Sequence, residues 1–209
     1  MGRVGDELVR PILRALDDVP VHGRQLGDMV RGLRGAQRRN RDGVEDLDSL
    51  DVNLKPFRRN RKHDPAEYDR QYNEQMDTLR RMPLDEWRRN RSEYLDRGRT
   101  PDSLRAQQAA RDAALQDKVL ELREQGQSRS EATANAEQWL RTQAATHRLD
   151  GIAGGDVTDI SGVGDSRINS SLGSQWRTRV GDIDAAVDRY VAAHPGADLS
   201  KVRLNMVFG

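Results

Sequence analysis

The sequence predicts a mainly α-helical fold with a long Gly- and Asp-rich loop between the fourth and last core helices. Two observations lead to this prediction. Apolar residues recur every three or four positions through five stretches after residue 63, which is the period of an amphipathic helix. Residues 147–174, between the last two stretches, are rich in Gly, Asp and Ser and show no helical period. Because long ordered loops in compact domains are usually functional, we expect this loop to hold an active site.

Capping residues mark the starts of the first four core helices. A capping side chain or a proline stands where each apolar period begins. These start signals are Asp64-Pro65 with Glu67 placed to reach back, Pro83, Thr100-Pro101, and Ser128 with Glu131. We expect the second helix to end at Gly98, the third at Gly126 and the fourth near Ala145. The expected buried side of the third helix consists of Leu104, Ala114, Leu115, Val119 and Leu122.

The last core helix and the tail follow the loop. Trp176, Val180, Ile183, Val187 and Tyr190 keep a helical period, so we expect one final helix with Trp176 in the core. Residues 202–207 alternate briefly between apolar and polar types. They predict either a short strand or an extended cap.

The N-terminal quarter of the chain has a different texture. Short helices are possible at Gly2–Asp17 and Gln25–Gln37, but few large apolar residues accompany them. Residues 35–53 are polar and rich in Gly and Arg, which is typical of a linker or a weakly packed arm. We therefore divide the chain into an N-terminal arm or linker, residues 1–55, and a helical domain, residues 56–209.

Composition limits the possible functions only loosely. The 209 residues include 35 basic and 34 acidic side chains, so net charge does not indicate a nucleic-acid partner. Arg-Arg-Asn-Arg occurs three times, at residues 38–41, 58–61 and 88–91, which fits either phosphate binding or solvated helix faces. No run approaches the ~20 apolar residues of a membrane helix. The charged N-terminus lacks the features of a general secretion signal, so we expect any export to use a dedicated machine.

His147 and Asp150 are the first candidate site residues. Their spacing of three places an imidazole and a carboxylate on one face if the fourth helix reaches them. Asp150 could orient His147 to activate water, or both side chains could lie close to a metal ion. Equally, His147 could be a helix C-terminal cation and Asp150 a turn residue.

Asp165 and Asn169 form a second candidate pair. Their spacing of four suits two oxygen ligands on one helical turn, and Mg²⁺ prefers oxygen ligands. The same residues would also suit an Asx turn that caps the last helix. Arg167 could hold a phosphate or pair with Asp165.

A longer block of residues resembles a known family. His147-Arg-Leu-Asp150, Ala153-Gly-Gly-Asp156 and Gly162-Val-Gly-Asp165-Ser-Arg-Ile-Asn169-Ser-Ser-Leu-Gly-Ser-Gln175-Trp176 resemble the polymorphic toxin type 15 family, also called novel toxin 15 or HxxD nuclease toxins. Upstream, Glu67-Tyr-Asp-Arg70-Gln71 with Gln75, Asn90-Arg91 with Tyr94, and Gly98-Arg99 agree with it. The resemblance covers about Phe57 to Tyr190.

The resemblance implies a function as well as a fold. Members of this family are described as mostly helical C-terminal toxin domains of secreted bacterial effectors, including type VI secretion effectors. They are metal-dependent DNases that a cognate immunity protein neutralises. Their HxxD pair, needed for activity, corresponds to His147 and Asp150. Asp165, Asn169 and Gln175 also match the family pattern, and we expect them to belong to the catalytic group.

These lines combine into one functional prediction. The protein is expected to hydrolyse DNA phosphodiester bonds non-specifically with a divalent metal, most simply Mg²⁺, held by Asp150 and Asp165. His147 is the expected general base, and Arg88, Arg89, Arg91 and Arg167 are expected to contact DNA. Secretion machinery or an adaptor would deliver the toxin to the cytoplasm of a target bacterium.

Two alternatives lead to different observations. An RNase of the same architecture, using His chemistry and the substrate's 2′-hydroxyl, would need no metal. A non-enzymatic helical adaptor or DNA-binding protein would cleave nothing with any metal. It would also leave the Gly- and Asp-rich loop without a purpose.

Overall fold

The mainly helical prediction is confirmed by the computed structural model, which describes residues 48–209. The helices are α1 (Pro65–Arg81), α2 (Leu84–Arg97), α3 (Pro101–Glu124), α4 (Arg129–Leu140), α5 (Ser166–Arg177) and α6 (Val180–Ala193). The strands are β1 (Asp48–Leu54), β2 (Gln143–His147), β3 (Ile160–Asp165) and β4 (Val202–Phe208). No helix among these residues is long and apolar enough to cross a membrane. The short helices expected at Gly2–Asp17 and Gln25–Gln37 lie outside the described residues.

The expected helix caps are present. Asp64 accepts a hydrogen bond from the Glu67 N–H (2.8 Å), and Ser128 and Glu131 form a reciprocal capping box. Thr100 caps α3, and Gly98 ends α2 with a φ of 60°. Glu67 does not reach back to Asp64, because its carboxylate instead accepts hydrogen bonds from Arg70, Gln71 and the Asp165 N–H.

Two small sheets complete the fold. Strand β1 pairs in parallel with β4, with Asp48 opposite Val202 and Leu54 opposite Phe208. The expected linker therefore does not extend to Asn53, because Val52 and Leu54 alternate inward and are buried. The tail forms a strand and not an extended cap. In the other sheet, β2 pairs antiparallel with β3, with a bulge after Thr146.

The main core lies between α1, α2, α5, α6 and the β1–β4 sheet. Its largest fully buried side chains include Trp87, Trp176, Met76, Leu79, Ile183 and Leu204. Trp176 is therefore a core residue, as expected. A small separate cluster of Leu122, Ala132 and Ala136 holds α3 against α4.

The structure corrects the expected lengths of two helices. Helix α4 ends at Leu140, not near Ala145, because the Thr142 N–H and hydroxyl both bond to the Trp139 carbonyl and turn the chain into β2. The expected last helix is two helices, α5 and α6. Arg179 lies between them, and its buried guanidinium bonds to the carbonyls of Lys55, Pro56 and Gln175.

The predicted loop is also more regular than its composition indicated. Residues 147–174 contain strand β3 and most of α5, and only 148–159 connect β2 to β3. The predicted buried side of α3 is correct for Leu122 and partly correct for Ala114, Leu115 and Val119, which are half-buried. It is wrong for Leu104, which is 55% exposed. The α3–α4 hairpin is held by its own small cluster, so the outer part of α3 faces solvent.

Candidate active site

His147 and Asp150 lie at the two ends of a tight corner. His147 is the last residue of β2, immediately after the bulge, and not part of a helix. Asp150 caps the 3-10 turn Gly151–Ala153, and its Oδ1 atom accepts a hydrogen bond from the Ile152 N–H (3.1 Å). Between them Leu149 is buried in the core, which fixes the corner and directs both polar side chains to one side.

Helix α2 holds the turn after Asp150. The Trp87 indole N–H donates to the Ala153 carbonyl (2.8 Å), and Arg91 Nη1 donates to the Ile152 carbonyl (3.0 Å). The Arg91 guanidinium also makes two hydrogen bonds to Asp184 of α6, at 3.0 and 2.8 Å. Arg91 is only 9% exposed, so we assign it to positioning the turn and not to a surface path for DNA.

Glycine is required where the turn meets α2. Gly154 has a φ of +92°, which side chains rarely adopt, and a Cβ there would overlap the Trp87 indole. A Cβ at Gly155 would overlap the Leu149 carbonyl. The glycine pair after Ala153 therefore serves close backbone packing behind the site.

A polar cavity of about 380 Å³ opens beside this corner. It brings together three residues predicted from the sequence: His147, Asp150 and Asn169. Another wall comes from the first half of α3 and from Arg99, two residues before the helix begins. That wall consists of Arg99, Ser103, Gln107 and Arg111, and Tyr94 closes one end.

The hydrogen bond of His147 determines which ring nitrogen is free. Nε2 lies 3.2 Å from the Val157 carbonyl oxygen. Because a carbonyl only accepts, Nε2 carries the proton and Nδ1 keeps a lone pair. Burial, with a smaller contribution from Arg99, lowers the pKa of His147 below 6.5, although Asp150 and the Val157 contact oppose the shift. The imidazole is thus neutral at pH 7 and able to accept a proton or a metal ion.

Helix α5 comes close to the Asp150 carboxylate. A Cβ at Gly173 would meet Asp150 Oδ2, so the absence of a side chain there leaves room for the carboxylate. Asn169 stands one turn before Gly173 and therefore shares its helix face. This places an amide beside the carboxylate in the same cavity.

Asp165 and Arg167 lie outside the cavity lining. The Asp165 carboxylate caps α5 by accepting hydrogen bonds from the N–H groups of Arg167 (2.8 Å) and Ile168 (3.3 Å). Its other oxygen pairs with the Arg167 guanidinium at 2.8 Å. The Arg167 side chain and these N–H groups lower the pKa of Asp165 to about 2. These contacts are those of a helix cap.

The other predicted site residues are spread over the surface. The Gln175 amide accepts from the Arg58 N–H (2.7 Å) and donates to the Arg58 carbonyl (3.1 Å), fastening the segment before α1. Arg88 and Arg89 are exposed on α2. Arg89 lines a neighbouring cavity that also contacts Asp156 and Thr158.

The sequence interpretation missed Arg99, Gln107 and Arg111. A signal for them was present, since residues 99, 103, 107 and 111 recur every four positions. It went unnoticed because a polar stripe at this spacing resembles an ordinary solvated helix face.

The family comparison agrees with this geometry. The model of the novel toxin 15 family matches residues 62–205. The chain belongs to the novel toxin 15 family. The match begins just before α1 and ends within β4, so it contains every residue of the cavity. No curated protein shows significant similarity to the chain. The resemblance inferred from the sequence is thereby confirmed, and the chain carries a polymorphic toxin domain.

The cavity donors of this novel toxin 15 domain fit a weakly held divalent cation. Within residues 48–209, no group of three or more His, Cys, Asp or Glu side chains is arranged to hold a metal ion. The cavity nevertheless offers the Asp150 carboxylate, the Asn169 amide oxygen and His147 Nδ1. Mg²⁺ is commonly held by one or two carboxylates, with water and substrate phosphate completing its shell. The donor set is therefore compatible with Mg²⁺ bound together with a phosphate.

Proposed function

We propose that this toxin domain hydrolyses DNA phosphodiester bonds, with His147 and Asp150 at the reaction centre. The observation that carries the proposal is the shared cavity, which is lined by the neutral His147 imidazole, by the Asp150 carboxylate and by Arg99. Nδ1 of His147 has no hydrogen-bond partner among residues 48–209. A base, an anionic group and a guanidinium in one concave polar site suit attack of water on a phosphate.

His147 acts in this proposal as the general base. Nδ1 takes a proton from water as the water oxygen bonds to phosphorus, and the bond from phosphorus to the leaving sugar oxygen breaks. The leaving oxygen takes a proton from solvent. The Val157 carbonyl holds the ring at 3.2 Å, and the Asp150 charge stabilises the imidazolium that forms.

Asp150, aided by Asn169, would hold the divalent ion, which we propose to be Mg²⁺. When bound, such an ion polarises the phosphate oxygens and offsets the developing negative charge. Asp165 was the second expected ligand, but its capping contacts and its place outside the cavity make Asn169 the better candidate.

The remaining surface supplies non-specific contacts in this proposal. Arg88 and Arg89 are exposed on α2, and Arg167 is exposed at the start of α5. Guanidinium groups of this kind position a nuclease on the phosphate backbone without reading sequence. Arg91 is left out of this set because its guanidinium is buried and is bonded to Asp184 and the Ile152 carbonyl, whereas Arg167 stays exposed beside Asp165.

The biological setting follows from membership of a polymorphic toxin family. We propose that a dedicated system, of the type VI class, exports the protein with the help of an adaptor and that it acts in the cytoplasm of a target bacterium. A cognate immunity protein would protect the producing cell by covering the His147 cavity.

Plasmid cleavage by the purified chain tests the activity. We expect nicking with Mg²⁺, none with EDTA, and loss of nicking in His147→Ala and in Asp150→Ala. His194→Ala is the matched control, because His194 is exposed and its ring hydrogen-bonds only to the Tyr190 carbonyl among the described residues. If RNA is degraded in EDTA while the plasmid stays intact, the protein is an RNase and not a DNase. No cleavage of either would leave a binding protein.

Growth measurements test the toxin claim separately. We expect expression of the chain to stop growth of a bacterial host, and co-expression of the adjacent open reading frame to restore it. His147→Ala should be harmless without that partner. A wild-type chain that leaves growth unaffected would refute the toxin claim.

A further inference from the structure

One wall of the active-site cavity is a stripe along α3, formed by Arg99, Ser103, Gln107 and Arg111. We call it the α3 stripe. Ser103, Gln107 and Arg111 lie four positions apart on one face of α3, and Arg99 lies just ahead of the helix. All four line the cavity that contains His147 and Asp150. Between Ser103 and Arg111 the helix rises about 12 Å. One DNA strand rises by about 3.4 Å per nucleotide, so the α3 stripe is long enough to run beside more than one nucleotide.

Gln107 has an unfilled hydrogen-bonding capacity. Its Nε2 atom is buried and has no hydrogen-bond partner among the described residues. Leaving a buried donor unpaired costs stability, so a fold gains nothing from such a group. Because Gln107 lines the cavity and is only partly buried as a residue, a rotation of its side chain would bring Nε2 to an acceptor on a bound ligand.

The charges of the α3 stripe are also uncompensated. Arg111 bonds to the backbone carbonyls of Gln143 (2.6 Å) and Leu140 (3.3 Å), which fix its position without neutralising it. Arg99 takes part in none of the ion pairs found within residues 48–209, and its charge contributes to lowering the pKa of His147. Elsewhere on α3, by contrast, Arg105 pairs with Asp102 and Lys118 pairs with Glu121.

We propose that the α3 stripe binds the phosphodiester backbone of the strand that is cut. Gln107 donates to a non-bridging oxygen of the phosphate that faces His147, and Arg99 contacts a neighbouring phosphate of the same strand. Arg111 supplies positive charge at the far end of the cavity. This inference rests on the proposed nuclease function and adds to it the residues that orient the substrate.

Binding measurements on the full chain test the inference without relying on cleavage. The His147→Ala protein is titrated against a fluorescent 20-base-pair DNA duplex in EDTA, alone and with a second substitution. Gln107→Leu and Arg99→Gln are the test substitutions. Gln108→Leu and Arg105→Gln are matched controls, because both residues are exposed on the same helix. We expect about tenfold weaker binding for each test substitution and less than twofold for each control.

Two further readouts separate a binding role from a structural one. Arg99→Gln should lower the slope of log K against log salt by about 1, because one phosphate contact is lost. Gln107→Leu should unfold at the same temperature as the parent or higher, since an apolar group of similar size replaces an unpaired donor. A Gln107→Leu protein that binds DNA like Gln108→Leu, or a parent that does not bind the duplex, would overturn the inference.

The failure of the proposed function has a different signature. If the wild-type chain cleaves neither DNA nor RNA, but the α3 stripe substitutions still weaken DNA binding relative to their controls, the nuclease proposal fails and the α3 stripe remains a DNA-binding surface. If the wild-type chain cleaves and the substitutions leave both binding and cleavage unchanged, only the inference fails.

Discussion

The Oδ2 atom of Asp150 lies 3.0 Å from the position that a Cβ atom would take at Gly173. This distance is tighter than an ordinary van der Waals contact, so a side chain at residue 173 would push the carboxylate aside by a few tenths of an ångström. The other oxygen of Asp150 is held by the Ile152 N–H. The carboxylate is therefore fixed from both sides.

Gly173→Ala is expected to reduce activity without reducing stability. The added methyl group would displace the Asp150 carboxylate by a few tenths of an ångström, and small misplacements of catalytic groups cost about ten- to a hundredfold in rate. Alanine has the higher helix propensity, by about 1 kcal/mol, which offsets the crowding. Plasmid cleavage and thermal unfolding would be compared with Ser174→Ala, an exposed neighbour on the same helix. Wild-type cleavage by Gly173→Ala would contradict the prediction.

His147 should set the acid limit of activity. Burial lowers its pKa below 6.5, so the neutral base predominates at pH 7 and is lost only as the pH falls through that lowered value. We expect kcat/KM to remain high at pH 6.5 and to fall about tenfold per pH unit further down. A pH profile of cleavage measures this. An acid limb centred above pH 6.5 would exclude the assignment.

The lowered pKa of His147 also affects folding stability. Below about pH 6.5, His147 of the unfolded chain is protonated while the buried imidazole of the folded protein is still neutral. The free energy of unfolding therefore decreases as the pH falls from 6.5 toward the pKa of the folded protein. His147→Gln should lack this part of the decline. Urea unfolding in EDTA at pH 7.5 and 5.5 would compare the two proteins, since their other titrating groups are identical.

Arg91→Ala should act through stability. The substitution leaves Asp184 and the Ile152 carbonyl without their partner, and breaking this partly buried ion pair is expected to cost about 2 kcal/mol. Arg88→Ala, on the exposed side of α2, should change the free energy of unfolding by less than about 0.5 kcal/mol. Urea unfolding and DNA titration of both proteins would distinguish the roles. Weaker DNA binding by an Arg91→Ala protein of wild-type stability would show a direct contact instead.

Asp165→Ala should destabilise the start of α5 by about 1 kcal/mol, because the side chain caps two N–H groups. Asp165→Asn keeps a capping oxygen and should lose less. Since the pKa of Asp165 is lowered to about 2, its contribution is fully present above pH 3.8 and disappears as the pH falls through 2. If Asp165→Asn abolishes cleavage while remaining folded, Asp165 is a metal ligand after all.

Local signals explain which elements could be predicted from the sequence. Helix starts were correct because a cap depends on residues three positions apart, as at Asp64 and Ser128. Strand β2 was missed because Gln-Ala-Ala-Thr-His favours helix locally, and its strand partner begins 13 residues later. Strand β1 was missed because its partner β4 lies even further along the chain. The Asn205 amide that donates a hydrogen bond to Asp51 is 154 residues away.

The site was predictable to a similar extent. The spacing and the family resemblance pointed to His147 and Asp150, and the structure places them in one cavity with Asn169. Burial of Arg91 depends on Asp184, 93 residues further along the chain, and no local pattern connects the two. The residues of the α3 stripe recur every four positions, but exposed helix faces show the same pattern. The stripe is recognised as part of a cavity only when the other residues that line the cavity are known.

The parallel pairing of β1 with β4 affects when the toxin domain can fold during synthesis. The inward side chains of β1, Val52 and Leu54, complete a core whose other wall is Val202, Leu204 and Met206. A nascent chain that has been made only as far as residue 200 therefore has every side chain of the cavity but lacks the strand that closes the core. The domain is thus expected to gain its fold only after β4 has emerged, so the cavity that contains His147 and Asp150 is completed late in synthesis.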